Sequence, residues 1–260
     1  MIDAVAEIID ARIPMSSRNP ELDQLITNKP RLIILNKADI ADPNITKAWI
    51  NFFKSQGHYA LQADCKSGNG LRGFLPLAKQ VLSEKLERLA KKGMSGRSIK
   101  VMVVGIPNVG KSSFINRMAG AAKTKVEDRP GVTRGQQWIT LQGGVDLLDT
   151  PGVLWPKFDD PAVGEKLAFT GAVKDVVMDT EHLAERLLEV LINKYDQCLF
   201  SRYGIEQTGL TGHQMLEQIA KRRGFLIAGG EMDIERAAII FIDEFRSGIL
   251  GKISLESPEI

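Results

Sequence analysis

The sequence has few of the residues that build disulfide frameworks or metal clusters, since it contains only two cysteines and three histidines in 260 residues. Cys65 and Cys198 are too few for such a framework, and a reducing, cytoplasmic location is therefore expected. No apolar run approaches the roughly 20 residues of a membrane helix, and no basic-then-apolar leader opens the sequence, so no membrane partner is expected. The formal net charge of +2 is too small to require or to exclude a nucleic-acid partner.

Residues 105–113 read G-I-P-N-V-G-K-S-S and contain the pattern G-x-x-x-x-G-K-[ST]. A loop of this kind wraps backbone N–H groups around nucleotide phosphates, while its Lys reaches the β and γ phosphates and its Ser or Thr hydroxyl binds magnesium. An apolar run at 99–104 precedes the loop and helical spacing at 114–119 follows it, so that a helix N-terminus faces the anion. This context favours a phosphate-binding loop over an ordinary tight turn.

Apolar runs alternate with stretches of helical spacing over the first two thirds of the chain, a pattern that is typical of an α/β fold. The polar residues 121–133 are predicted to form a mobile loop. Strands are predicted at 4–9, 32–35, 58–63, 99–104, 137–141 and 145–148, with a turn at Gly143-Gly144 between the last two. Helices are predicted at 21–27, 44–55, 71–92, 114–119, where Gly120 ends the helix, and 162–169.

After about residue 173 strand-like runs largely disappear. Helical spacing recurs at 182–195, 211–223 and 231–246, and residues 249–255 form a terminal strand or tail. We therefore predict two domains, an α/β domain over residues 1–175 and a small, mainly helical domain over residues 176–260.

Two further motifs follow apolar runs, at the strand ends where ligands bind in open α/β sheets. Residues 149–152 read D-T-P-G, which has the form of an acidic loop whose Asp holds Mg²⁺ indirectly and whose Gly N–H meets the γ-phosphate. Thr133 lies between a predicted helix and strand, where a switch threonine would close on Mg²⁺. Residues 36–39 read N-K-A-D, and an Asp in this place accepts hydrogen bonds from N1 and N2 of guanine, a donor pair that adenine lacks. Each motif alone could be a plain turn, but together they predict a guanine-nucleotide site.

The motifs occur in the order N-K-A-D, D-C-K, G-I-P-N-V-G-K-S, Thr133 and D-T-P-G, whereas ordinary small GTPases have the phosphate loop first and the guanine-reading loops last. This order resembles the circularly permuted GTPases of ribosome assembly, and D-A-R-I-P at 10–14 resembles their D-A-R-x-P signature. The stretches R-I-P-M-S-S-R-N-P and L-D-T-P-G-V-L-W-P-K-F carry a closer likeness to the ribosome biogenesis GTPase A family, of the YlqF type. The likeness covers nearly the whole chain. It implies an α/β P-loop GTPase domain with permuted motif order, followed by a small helical domain that contacts ribosomal RNA.

The resemblance also assigns roles to individual residues. It implies a GTPase that binds GTP and GDP with Mg²⁺, and K⁺ is a further candidate because Asn108 stands three residues before Lys111, where potassium-activated GTPases carry an Asn. Guanine would be bound by Asn36, Lys37 and Asp39, with Cys65 and Lys66 behind the base. The phosphates would be bound by Asn108, Val109, Gly110, Lys111, Ser112 and Ser113. Mg²⁺ would be bound by Ser112 and Thr133, with Asp149 acting indirectly. Thr133 and Gly152 would form the switch contacts with the nucleotide, and catalysis would use Lys111, Thr133 and Gly152.

Several departures from common patterns affect the expected chemistry. D-C-K at 64–66 replaces the commoner S-A-K, so backbone contacts are expected to serve there. Val153 and Leu154 follow the D-T-P-G motif, where a Ras-like enzyme has a Gln that orients the attacking water, and slow intrinsic hydrolysis is therefore expected. The three histidines, His58, His182 and His213, are expected to be structural or surface residues. Relatives of this kind usually begin with a basic, aromatic segment that carries a His, so either this sequence is shortened or the protein lacks that segment.

The leading hypothesis is a GTP-hydrolysing factor in late assembly of the large ribosomal subunit, with slow turnover that the ribosome stimulates. The alternative is a nucleotide-gated module that binds RNA or the ribosome and in which hydrolysis is incidental; N-K-A-D speaks against a kinase or ATPase. The basic run K-R-R at 221–223 either complements a helix dipole or meets RNA phosphates, and the resemblance favours RNA. The implied partners are the large subunit and its RNA, no DNA partner is expected, and the protein is expected to be a monomer.

Overall fold

A computed structural model of the chain divides into two compact units. The first unit comprises residues 1–157 together with 254–260, and the second comprises residues 158–253. Among the described residues, none of the helices combines the length and the apolar character that a bilayer crossing requires. The structure describes residues 2–26, 29–94, 96–121, 126–127, 137–150, 160–173, 179–206 and 209–258.

The first unit is built on one sheet of seven strands, in the spatial order β3-β2-β1-β4-β7-β6-β5. These are β1 (Ala4–Asp10), β2 (Arg31–Asn36), β3 (Tyr59–Gln62), β4 (Ile99–Val104), β5 (Val126–Glu127), β6 (Gln137–Leu141) and β7 (Val145–Asp149). The neighbouring strands β3, β2, β1, β4 and β7 pair in parallel. Strand β6 pairs antiparallel with both of its neighbours, β7 and β5. The six predicted strands are confirmed to within one residue at each end, and the hairpin turn at Gly143-Gly144 is confirmed as well.

Strands β1 and β2 are buried along their whole length, as expected of parallel strands that are covered on both faces. The aromatic residues Trp49 and Phe53 pack into one cluster with Ile9 and Ile33 of these strands. Burial of such side chains contributes about 1.5–3 kcal/mol each. The central strands are therefore rigid supports for the loops at their carboxyl ends.

The helices of the first unit are α1 (Glu21–Leu25), α2 (Pro43–Ser55), α3 (Phe74–Val81), α4 (Ser83–Lys91) and α5 (Lys111–Ala121), with a 3₁₀ turn at Leu71–Gly73. The single helix predicted over 71–92 is wrong, because Leu82 leaves the helical conformation (φ −109°, ψ 15°) and is buried, whereas α4 beyond it has no buried residue. Helix α5 also continues through Gly120, where its end was predicted. Of the loop predicted at 121–133, residues 126–127 form β5, and most of the rest lies outside the described residues.

The described residues of the second unit form α6 (Pro161–Phe169), α7 (Thr180–Lys194), α8 (Asp196–Tyr203), α9 (Gly212–Arg223) and α10 (Ile234–Ser247). Side-chain caps begin most of these helices, and Thr211 forms a capping box with Gln214 at the start of α9. Leucines of α7 pack against α9 and α10 and form the core of the second unit. The helices predicted at 162–169, 182–195, 211–223 and 231–246 are confirmed, whereas α8 was not predicted.

The division between the units differs from the boundary expected at residue 175. Helix α6 belongs to the second unit, since it packs against α7 and since Arg246 of α10 donates hydrogen bonds to the carbonyls of Ala168 and Phe169. Residues 254–258 belong to the first unit, although they were expected to lie at the end of the helical domain. They form neither a helix nor a strand.

Candidate nucleotide-binding site

The phosphate-binding loop predicted at 105–113 connects the central strand β4 to α5. Gly110 has a φ of +101°, and a Cβ atom there would lie 2.2 Å from the side-chain nitrogen of Asn36, so only glycine fits. Its carbonyl accepts the N–H of Phe114 at 2.9 Å, which starts the α5 hydrogen-bond ladder. The free N–H groups of the first helical turn therefore face the loop, an arrangement that favours an anion.

Lys111 is the first residue of α5, and its side chain folds back over the loop to donate to the carbonyl of Ile106 at 2.9 Å. Burial lowers the pKa of its ammonium group, and the nearby carboxylate of Asp149 opposes this shift. Burial raises the pKa of Asp149 in turn, with Lys111 opposing. Each charge therefore opposes the pKa shift that burial imposes on the other group.

The side chain of Asn36 links three motifs that are far apart in sequence. Its amide nitrogen donates to the carbonyl of Val109 in the phosphate-binding loop at 2.6 Å, and its amide oxygen accepts the N–H of Cys65 at 2.9 Å. Asn36 is only 4% exposed, so both bonds are shielded from water. The first residue of N-K-A-D therefore acts as a structural clamp, a role that the guanine-binding assignment did not predict.

The remaining residues of N-K-A-D continue from β2 into a turn. Lys37 has a φ of +61°, which is uncommon outside glycine, and its ammonium group lies 2.9 Å from the carboxylate of Asp10. The N–H of Ala38 donates to the carbonyl of Ala63 at 3.1 Å. Asp39 is exposed and makes no hydrogen bond or ion pair within the described part of the chain, so its carboxylate is accessible to a ligand.

Asp10 belongs to the D-A-R-I-P signature, for which no contact was predicted. It accepts from the guanidinium of Arg12 at 2.8 and 3.0 Å, in addition to its ion pair with Lys37. Burial by itself would raise the pKa of Asp10, but the charges of Arg12 and Lys37 hold it well below its usual range. This carboxylate is therefore ionised, and two cations neutralise its charge. In the sequence, only the position of D-A-R at the end of β1, beside β2, could have indicated the contact between Asp10 and Lys37.

The loop after β3 is held by Asp64, whose carboxylate accepts the N–H groups of Lys66 at 2.8 Å and Ser67 at 3.2 Å. These bonds lower the pKa of Asp64 although its partial burial would raise it. Burial raises the pKa of the Cys65 thiol to about 12, so that group is neutral. Arg117 of α5 donates to the carbonyl of Lys66. The D-C-K loop thus has a neutral thiol, and the N–H groups of Cys65 and Lys66 are bonded to Asn36 and Asp64.

A groove of about 540 Å³ runs between this loop and α5. It begins at Ser113, next to the exposed Ser112, and could receive the part of a nucleotide beyond its phosphates. The groove is lined by Cys65, Lys66, Ser113, Asn116, Arg117 and Gly120.

The acidic loop begins next to the phosphate-binding loop, because Asp149 pairs with Val103 in the parallel ladder between β7 and β4. Thr150 donates to the carbonyl of Val103 at 2.6 Å. Within the described ranges no three His, Cys, Asp or Glu side chains form a metal-binding group. The hydroxyl of Ser112 and the carboxylate of Asp149 are nevertheless oxygen ligands of the kind that suit Mg²⁺ when phosphates supply the remainder. The predicted contacts of Thr133 and Gly152 lie outside the described residues.

Known GTPases resemble this chain along most of its length. The sequence model of a family described as "50S ribosome-binding GTPase" matches residues 100–221. The ribosome biogenesis GTPase A of Priestia megaterium is 44% identical over 99% of this chain and 90% of its own length. The Thermotoga maritima protein of the same name is 33% identical over 100% of this chain and 87% of its own length.

Two solved structures of YlqF, both with 30% identity or more, extend the likeness to the fold. The GDP-bound protein superposes with a TM-score of 0.72 at 30% identity and covers 100% of this chain and 96% of that chain. The GNP-bound protein from Thermotoga maritima superposes with a TM-score of 0.70 at 31% identity and covers 99% and 94%. With a relative 44% identical along almost its whole length, the chain belongs to the ribosome biogenesis GTPase A family.

Proposed function

We propose that this protein binds and hydrolyses GTP as a factor in late assembly of the large ribosomal subunit, with slow intrinsic turnover that the subunit accelerates. The observation that carries the nucleotide site is the double hydrogen bond of Asn36 to the phosphate-binding loop and to the D-C-K loop. This pair of bonds supports a single site that combines the N-K-A-D motif with the phosphate-binding loop. The names of the relatives and of the matched family support the ribosomal part of the proposal.

Asp39 is the proposed reader of guanine. Its exposed carboxylate accepts from N1 and N2 of the base, and the clamp at Asn36 together with the ion pair of Lys37 holds the turn in which it stands. Cys65 and Lys66 are placed in the loop behind the base, where the thiol of Cys65 is neutral.

The phosphates would lie against the N–H groups of residues 108–113 and the ammonium group of Lys111. Mg²⁺ would be held by Ser112 and Thr133, with Asp149 acting indirectly, and would supply positive charge on the phosphate oxygens as negative charge develops there. Asn108, whose φ is +60°, would contribute an oxygen to a bound K⁺. Lys111 would stabilise charge on the transferred phosphoryl group, and Thr133 and Gly152 would contact the γ-phosphate side.

The proposed site for RNA phosphates is on α9. Lys221 and Arg222 are exposed there, whereas Arg223 donates to the carboxylate of Glu244 at 2.6 Å and lies over the ring of Tyr203. We therefore assign the first two cations to ribosomal RNA and the third to the core of the helical unit. The protein is proposed to act as a monomer in the cytoplasm, where assembling subunits occur.

The test is sedimentation of the protein with purified large ribosomal subunits in the presence of a GTP analogue, of GDP and without nucleotide, together with GTP turnover with and without subunits. The proposal expects binding favoured by the GTP analogue and turnover accelerated by subunits. Binding that depends on nucleotide without any acceleration would instead favour a nucleotide-gated module. If the protein binds no large subunits in any nucleotide state, the ribosomal part of the proposal is wrong.

A further inference from the structure

The C-terminal tail, residues 254–258, contacts the loop that contains the D-A-R-I-P signature. Ser254, Leu255 and Glu256 are at least nine-tenths buried, although they belong to no helix or strand. The N–H of Leu255 donates to the carbonyl of Arg12 at 2.8 Å, and the hydroxyl of Ser254 accepts the N–H of Asp42 at 3.1 Å. The tail is therefore tied by its backbone and its side chains to two loops that follow β1 and β2.

Glu256 makes the densest set of these contacts. Its carboxylate accepts the N–H of Met15 at 2.8 Å, the N–H of Ser16 at 3.3 Å and the hydroxyl of Ser16. Its backbone carbonyl also accepts the indole N–H of Trp49 at 3.1 Å. Charge-assisted bonds to a carboxylate are stronger than neutral ones, so Glu256 holds the turn at 13–17 in one conformation.

That turn is connected to the guanine-reading segment through Asp10. The hydroxyl of Ser17 accepts the N–H of Asp10 at 2.9 Å, and the carboxylate of Asp10 lies 2.9 Å from the ammonium group of Lys37. Lys37 adopts a left-handed conformation that an L-residue disfavours, so its surroundings must hold it there. The ion pair with Asp10 contributes to this, together with the hydrogen bond from the N–H of Ala38 to the carbonyl of Ala63, and it lies two residues before the exposed Asp39.

We infer that Glu256 is a positioning residue for guanine recognition, acting through Ser17 and Asp10 on Lys37. The inference rests on the proposed role of Asp39 as the reader of guanine. Glu256 itself touches no nucleotide. Its effect is on how well the N-K-A-D turn presents its carboxylate, and so on the preference for guanine over a base that lacks the 2-amino group.

The test compares the affinities of the full chain for GDP and for inosine diphosphate, which lacks that amino group. In Glu256→Gln, one acceptor and the charge are lost, and the GDP affinity is expected to fall about tenfold while the affinity for inosine diphosphate falls less. The matched control is Glu231→Gln, an exposed position in the helical unit, which should keep the wild-type ratio. Ser16→Ala removes a single donor and should shift the ratio in the same direction by a smaller factor, so it serves if Glu256→Gln fails to fold.

A double-mutant cycle with Asp10→Asn identifies the path. If Glu256 acts through Asp10, the double variant has the same ratio of GDP affinity to inosine diphosphate affinity as Asp10→Asn alone. If the changes in this ratio caused by the two single variants multiply in the double variant, the proposed path is wrong. A lowered melting temperature with an unchanged ratio in Glu256→Gln would show a purely structural tail and overturn the inference alone. A wild-type protein that does not distinguish the two nucleotides would instead remove the assignment of Asp39, and the inference with it.

Discussion

The side-chain nitrogen of Asn36 lies 2.6 Å from the carbonyl oxygen of Val109, so the N-K-A-D motif is bonded directly to the phosphate-binding loop. The two residues stand 73 positions apart in the sequence. Because the same side chain also accepts the N–H of Cys65, a change at this one residue loosens three loops together.

Asn36→Ala is expected to weaken GDP binding by at least about 30-fold, because two buried backbone groups lose their partner at about 1–3 kcal/mol each. Asn36→Asp should weaken it as much, since a carboxylate oxygen would replace the donor that faces the Val109 carbonyl. Fluorescent-nucleotide titration measures both effects. Asn51→Ala, at an exposed position of α2, is the control, and equal affinities for all three variants would contradict the clamp.

Asp39→Asn is expected to weaken GTP binding by about 100-fold, because two hydrogen bonds to a charged acceptor are lost. The variant should instead prefer xanthine nucleotides, whose 2-oxo group matches an amide donor. Competition between guanine and xanthine diphosphates checks this, and the gain for xanthine is an internal control for folding. Wild-type affinity for GTP in the variant would show that Asp39 does not read the base.

Potassium is expected to accelerate GTP hydrolysis by about tenfold over sodium at matched ionic strength, which corresponds to about 1.4 kcal/mol of transition-state stabilisation. The side-chain oxygen of Asn108 would hold the ion. Asn108→Gly keeps the left-handed backbone without strain and should abolish the difference between the two salts while GDP still binds. Equal rates in the two salts for the wild type would rule out a potassium site.

Glu7 predicts a specific pH dependence of stability. It is buried in β1, and burial raises its pKa although Arg18 and Arg31 oppose the shift. A raised folded-state pKa contributes stability that is fully present below the unfolded value of about 4.3 and is lost as the pH rises through the folded value. Glu7→Gln remains neutral, so its free energy of unfolding relative to the wild type should increase as the pH rises from about 4.3 towards neutrality.

Urea unfolding at several pH values measures that difference, and Glu231→Gln should give a curve parallel to the wild type. A difference between Glu7→Gln and the wild type that is constant with pH would mean that Glu7 titrates alike in the folded and unfolded states.

We propose two roles for the basic run on α9, RNA binding for Lys221 and Arg222 and stability for Arg223. Lys221→Ala combined with Arg222→Ala is expected to weaken binding to large ribosomal subunits and to reduce the slope of log affinity against log salt by about 2, one for each lost phosphate contact. Arg223→Ala should instead lower the free energy of unfolding by about 1–3 kcal/mol, because its charged bond to Glu244 is lost. Sedimentation at several salt concentrations and urea unfolding distinguish the roles. Full subunit binding by the double variant would place the docking site elsewhere.

The motifs could be predicted because their spacing and their position after apolar runs are local properties of the sequence. The contacts between motifs could not, since nothing in the residue types shows that Asp10 pairs with Lys37 rather than with solvent. The break at Leu82 was missed because helical spacing continues on both sides of it, and only the buried side chain marks the turn. The burial of the tail at 254–258 could not be predicted, because the tail lacks the hydrophobic periodicity of a helix or strand. Its burial depends on contacts with a loop that is far away in the sequence.

The bond between Glu256 and Met15 joins residues 241 positions apart, and this separation has a consequence for how the protein is made. At a synthesis rate of about 5–20 residues per second, the turn at 13–17 leaves the ribosome roughly 12–50 s before the carboxylate that holds it. During that interval β1 and the turn are exposed to the other segments of the nascent chain without their final partner. The first unit is thus completed only after the second unit has been translated, although most of its residues precede the second unit in the chain.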